Sequence, residues 1–325
     1  MSSTPEPGFP QAPESAEVVH RSAPERQIAH LATDNWGMRI IDHIPPADRR
    51  GGVITTAALH RNGFGKVAIR RAVNRGSLTR IRRGWYRLAQ AQESVVSAVR
   101  GGGVMSCCSA LAFHGVWVLT DHHHVRTSRH ASERLHRRTC CHHRRRRAPS
   151  RAVDDVDVAL DVAMDCLPDD ELLIVMESVV DKGLLSLDEV GAMAAGHGRR
   201  VTRLAMRMAP AQSGTETILR LAVSALRRAV RCQVPIPGIG RVDLLADGWL
   251  ILECDSQRWH LDPKAWADDR RRDRKAAAEG FRVIRLTYDD VVLHLPETIQ
   301  DIMAAIGHPP GRATRRRLAT LLGTA

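Results

Sequence analysis

A chain of 325 residues is long enough for two or three domains with more than one core. With 43% hydrophobic and 26% charged residues it reads as mostly globular, and no apolar run approaches the ~20 residues that a membrane helix needs. A net charge of +12 points to a polyanionic partner, nucleic acid before a membrane surface, and leaves the fold open. Aromatic residues are only 4%, so the cores must be aliphatic. The seven cysteines form no regular disulfide framework and the Pro-rich start has no apolar signal segment. A cytoplasmic, reducing location with free thiols and no membrane contact is therefore expected.

Residues 1–37 are rich in Pro, Ser, Glu and Ala and carry too little apolar surface to offset ordering entropy, so a disordered tail is expected there. Residues 38–92 change character. Thr55 or Thr56 is placed to cap a short helix bearing Ala58 and Leu59, and Asn62 with Gly63 turns the chain. A second helix over Lys66 to Asn74 puts Val67, Ile69 or Arg70, and Val73 at helical spacing, with Gly76 suited to its C-terminal cap. The runs Leu78 to Ile81 and Trp85 to Leu88 then flank a hairpin tip of Arg82, Arg83 and Gly84. Helix, turn, helix and β-wing is the layout of a winged helix. Arg70, Arg71 and Arg75 fall on the second helix and Arg80, Arg82 and Arg83 on the wing, the two elements that touch a duplex in such folds. The segment is similar to the N-terminal winged-helix domain of AbiEi-type antitoxins of abortive-infection systems. That resemblance implies DNA as a partner, and a protein partner from a toxin–antitoxin or defence system.

Residues 93–210 read as a connecting region, mixed at first and then helical. Ser128 to Arg151 is saturated with His and Arg. The cluster Cys140, Cys141, His142 and His143 near His122, His123 and His124 lacks the spacing of a zinc site, so a solvated basic loop is expected. Beyond Asp154 come helical runs separated by Pro168 and Gly183, with Ser186 and Glu189 in capping-box positions. They read as scaffold.

Residues 211–308 hold the chemistry. Ser213 and Glu216 open a helix as a capping-box pair, which by itself accounts for Glu216 as readily as a catalytic role does. Two strands follow, from Gly240 and from Trp249, with carboxylates where apolar residues belong: Asp243 in the first, Glu253 and Asp255 ending the second. A three-residue Ala246-Asp247-Gly248 loop would pair Leu245 with Trp249 and Asp243 with Ile251, bringing Asp243 onto the face of Glu253 and Asp255. Converging carboxylates require a divalent cation, and hard oxygen ligands favour Mg²⁺ or Mn²⁺. Such an ion on a basic protein suits phosphodiester hydrolysis. His260 ends the segment and is a candidate catalytic residue, open equally to a local hydrogen-bonding role. A helix over Ala267 to Glu279 carries Arg270 and Arg274 on one face, open to phosphate contact or to plain solvation, and FRVIRL returns as a strand. A basic tail, residues 309–325, closes the chain.

Together these pieces resemble the PD-(D/E)XK nuclease fold, and more closely an endonuclease-like domain related to very-short-patch-repair endonucleases. The resemblance implies an α/β restriction-endonuclease-like domain, a four-stranded mixed sheet flanked by helices. It makes Asp243 and Glu253 the metal-binding acids and Glu216 the helix acid. Asp255 stands where the motif usually has Lys. A metal-dependent DNA endonuclease docked by the winged helix is thus one expectation; a non-catalytic DNA-binding regulator of the antitoxin kind is the other.

Overall fold

The computed structural model describes residues 43–119, 123–127, 139–142, 149–254 and 263–324, with only the backbone for 139–142 and 263–269. The expected tail, the greater part of the His/Arg-rich loop, Asp255 and His260 lie outside the described residues.

A 3-10 segment, Pro46–Gly52, leads into β1 (Val53–Thr55), α1 (Thr56–Arg61), α2 (Lys66–Asn74), β2 (Thr79–Arg82) and β3 (Trp85–Arg87). Thr55 is the cap: its Oγ1 accepts the Ala58 N–H at 3.0 Å. Gly76, at φ 76°, takes the left-handed turn after α2 that side chains disfavour. The strands form a sheet in the order β1-β3-β2. The core of α2 is Ile69 and Ala72 with Val73 half-buried, whereas Val67 is 54% exposed.

The region from 93 to 210 is a folded unit with its own core. It contains α3 (Glu93–Arg100), β4 (Gly103–Met105), α4 (Cys107–Phe113), β5 (Val125–Thr127) and β6 (Thr139–His142), with a sheet in the order β4-β5-β6. Four helices follow: α5 (Val156–Cys166), α6 (Asp169–Asp181), α7 (Leu187–Gly196) and α8 (Arg199–Ala205). Its apolar core takes in Val53 and Trp85 of the N-terminal unit, so the two are packed as one body. Asp155 reinforces the join with an ion pair to Arg50, and Arg151 adds one to Asp48 at 3.6 Å. Within this core Arg126 makes a bidentate pair with Asp154 at 2.6 and 2.7 Å, at 2% and 6% side-chain exposure.

The C-terminal unit begins with α9 (Gly214–Ala225). Then come β7 (Val230–Ile236), β8 (Gly240–Ala246), β9 (Leu250–Cys254), α10 (Pro263–Glu279) and β10 (Arg282–Leu286). The sheet runs β10-β9-β8-β7. Strands β7, β8 and β9 are antiparallel neighbours, and β10 is parallel to β9 across the α10 crossover. β7 escapes a pattern search because Pro235 interrupts a mixed run; Pro is tolerated since β7 is an edge strand. Three more helices, α11 (Tyr288–Val292), α12 (Leu295–Ile306) and α13 (Arg312–Leu321), complete the chain. The expected basic tail is therefore largely a helix. Leu318 is buried, Leu321 and Leu322 pack on the same core, and Arg317 donates to the Ala278 and Glu279 carbonyls at the end of α10. The middle and C-terminal units meet tightly: a Cβ on Gly214 would lie 2.0 Å from the Trp117 ring. Among the described residues no helix is long and apolar enough to cross a membrane.

Candidate functional site

Two places in the chain gather the expected functional residues. The first is the outer face of α2. Helical spacing puts Val67, Arg70, Arg71 and Asn74 on one stripe (i, i+3, i+4, i+7), and all four are exposed, opposite the buried Ile69 and Ala72. This stripe carries two guanidinium groups, a carboxamide and an apolar side chain, the donor, acceptor and methyl-contacting groups that read base edges in a major groove. Arg75 is exposed at the helix end, and Arg80 and Arg83 are exposed on the wing.

Arg82 departs from the expectation. A register shift between Arg80 and Arg82 bulges β2 against β3 and re-aims Arg82 inward. Its guanidinium sits 5.1 Å from the Trp85 ring centroid, and its Nη2 points at the Gly103 carbonyl at 3.5 Å. Burial holds its pKa below the ordinary 12.5. Arg82 therefore joins the wing to the middle unit and is withdrawn from the outer surface. Arg82→Ala should cost about 1–2 kcal/mol in urea melts, from the lost cation–π and packing contacts, and leave DNA affinity unchanged. Arg80→Ala should do the opposite.

The second place is the sheet of the C-terminal unit. The β8–β9 turn differs from the expected one: Leu245 pairs with Ile251 and Ala246 with Leu250, so Asp247, Gly248 and Trp249 form the loop. Both Asp247 (φ 50°) and Gly248 (φ 74°) take the left-handed conformation, and Ala246 C=O accepts the Trp249 N–H at 3.1 Å. Asp247 is held there because its Oδ1 accepts the Ala229 N–H. Trp249 is drawn away from β8 because its carbonyl accepts the Arg282 N–H of β10. The expected pairing of Asp243 with Ile251 is thereby excluded.

The regular β8–β9 ladder ends at Leu244 and Leu252. Beyond it, Asp243 Oδ2 accepts the Cys254 N–H at 2.9 Å, and its Oδ1 lies 3.4 Å from Gln233 Nε2. The same amide donates to Glu216 Oε2 at 2.7 Å. Gln233 reaches both acids from a left-handed backbone, φ 51°, in the middle of β7. Glu216, 4% exposed, also accepts from the Gln212 N–H and the Ser213 hydroxyl, both at 3.0 Å. Burial, then the Asp243 charge, push its pKa above the ordinary 4.5. Burial and the same two carboxylates push the Cys254 thiol far up.

Glu253 lies elsewhere. It lines a small cleft beneath α10 with Val242 and Ile251, and its Oε1 is 3.7 Å from Arg272 Nη2. The structure thus brings Glu216 and Asp243 together through Gln233 and sets Glu253 beside Arg272. Among the described residues the Asp243 oxygens are engaged, Glu253 faces a cation, and Glu216, Asp243 and Glu253 do not form a three-ligand group for a Mg²⁺ or Mn²⁺ ion. Arg270 and Arg274 are exposed along α10.

Because a raised carboxylate pKa means tighter proton binding in the folded state, Glu216 costs stability as pH rises through and above the ordinary value. Glu216→Gln keeps an acceptor and removes the charge. It should raise the urea midpoint at neutral pH, with the gain closing toward about pH 4.

The comparison with known proteins bears on the first place. Residues 47–89 match a family described as "Transcriptional regulator, AbiEi antitoxin". No curated protein and no solved structure matches the chain. The AbiEi-like segment coincides with β1, α1, α2 and the wing, the elements that present the Val67/Arg70/Arg71/Asn74 stripe. Asn74 escaped the sequence reading because a charge search picks out arginines. A nine-residue helix offers two apolar registers, and tertiary packing chooses the one through Ile69 and Ala72, which leaves Val67 outside.

Proposed function

We propose that this chain is a DNA-binding transcriptional regulator of the antitoxin kind, with α2 lying in the major groove and the β2–β3 wing against the flanking phosphates. The observation that carries this reading is the exposed stripe Val67, Arg70, Arg71 and Asn74 on a helix within the AbiEi-like segment. The overall charge of +12 supplies the sequence-independent attraction. A regulator of this family acts beside a toxin, so the protein partner is the toxin of the same system. Selection of bound duplexes from random DNA, followed by fluorescence anisotropy on the recovered sequence, tests the proposal. Recovery of one site, bound roughly a thousandfold tighter than random duplex, supports it; equal affinity for all duplexes contradicts it.

A second reading, a metal-dependent endonuclease, is favoured by one observation. The unit α9-β7-β8-β9-α10-β10 has a mixed four-stranded sheet with its helix acid, Glu216, beside a strand acid, Asp243. Cleavage of duplex DNA with Mg²⁺ or Mn²⁺, lost in Asp243→Ala and Glu253→Ala, would support it. Equal trace cleavage by wild type and both variants would remove it.

A further inference from the structure

The middle unit contains a cluster of metal-ligating atoms that neither DNA binding nor the acidic pair uses. The ligand atoms of Cys107, His124 and Cys166 all lie within 4.8 Å of one another, brought together from three separate elements. Cys107 opens α4, Cys166 ends α5, and His124 immediately precedes β5.

We propose that Cys107, His124 and Cys166 bind one thiophilic divalent cation, Zn²⁺, as a clamp that ties α4, α5 and β5 together. The chemistry is that of a zinc site: two thiols and an imidazole, a soft donor set that Mg²⁺ and Ca²⁺ do not favour. The spacing agrees. Zn–S and Zn–N bonds of about 2.3 and 2.0 Å at a tetrahedral angle put sulfur and nitrogen roughly 3.5 Å apart, and Cys166 Sγ lies 3.6 Å from His124 Nδ1.

The backbone around the cluster is tied down. The His124 backbone N–H donates to Ser109 Oγ at 2.8 Å and its carbonyl accepts the Ser106 N–H at 3.1 Å, which anchors residue 124 against the start of α4. Cys107 sits at φ 53°, a left-handed conformation that a cysteine rarely adopts, and it is completely buried. Cys108 and His124 are 2% and 9% exposed. Cys166 is partly exposed, so the cluster is buried on the Cys107 side and open to ion entry on the other.

The test uses the full-length protein purified without chelator. Elemental analysis after gel filtration in metal-free buffer should give about one zinc per chain. Replacement by Co²⁺ should produce the thiolate-to-metal charge-transfer and intense visible bands of a tetrahedral thiolate site. C107S/C166S should lose both signals, and chelation of the wild type should lower its urea midpoint. Zinc at background with no Co²⁺ spectrum would overturn the proposal, and this wild-type readout decides even if the variant does not fold. A mapped Cys107–Cys166 disulfide in the freshly isolated protein would also overturn it, in favour of redox chemistry. Zinc retained at full stoichiometry by C107S/C166S would place the ion elsewhere and overturn it equally.

Discussion

Replacing Glu177 by Ala should cost about 3–5 kcal/mol of stability, one of the two largest effects the structure predicts. Glu177 is 2% exposed on α6 and serves three donors. Its Oε1 accepts from Arg220 at 2.5 Å and from the Ala209 N–H at 2.8 Å, and its Oε2 accepts the Thr217 hydroxyl at 2.6 Å. Arg220 and Thr217 lie on α9, so this carboxylate bonds the middle unit to the C-terminal one. Truncation leaves a buried guanidinium without its counter-charge, and that uncompensated cation supplies most of the cost. Glu177→Gln keeps an acceptor and should cost less. Urea melts followed by tryptophan fluorescence check both; a Glu177→Ala protein within 1 kcal/mol of wild type would contradict the network's role.

The second large effect concerns binding. Arg70→Ala combined with Arg71→Ala should weaken DNA binding by about 2–6 kcal/mol, a fall of roughly 30-fold or more. If both side chains neutralise phosphates, the slope of log K against log salt should shrink by about 2. If one reads a base instead, the slope should shrink by about 1 and specificity should relax at one position. Both side chains are exposed on α2, so stability should stay within about 0.5 kcal/mol of wild type. Asn74→Ala, which removes no charge, should leave the salt slope unchanged while altering the preferred sequence.

Local signals carried well from sequence to structure. The Thr55 cap, the bounds of α2, the Ser186–Glu189 capping box and the α10-to-β10 crossover all follow from residue chemistry over a few positions. What depended on distant partners did not carry. The β8–β9 register turns on Asp247 adopting a left-handed backbone secured by Ala229 and on Trp249 bonding to β10. Neither is visible in the hairpin's own residues. The pairing of Glu216 with Asp243 depends on Gln233, a polar residue in a strand that Pro235 concealed. Residues 93–210 looked like a connector because their sheet is built from three- and four-residue strands far apart in sequence. For the same reason the Cys107, His124 and Cys166 cluster has no sequence signature, whereas Cys140, Cys141, His142 and His143 are conspicuous only because they are adjacent in the chain.

The central claim is that DNA is engaged by α2 and the wing. Hydrogen exchange of the full-length protein, with and without saturating cognate duplex, tests it most directly. Slowed exchange concentrated in residues 66–85, with residues 250–286 unchanged, is the predicted result. Protection confined to 250–286, with α2 exchanging as in the free protein, would contradict it and move DNA contact to the C-terminal sheet.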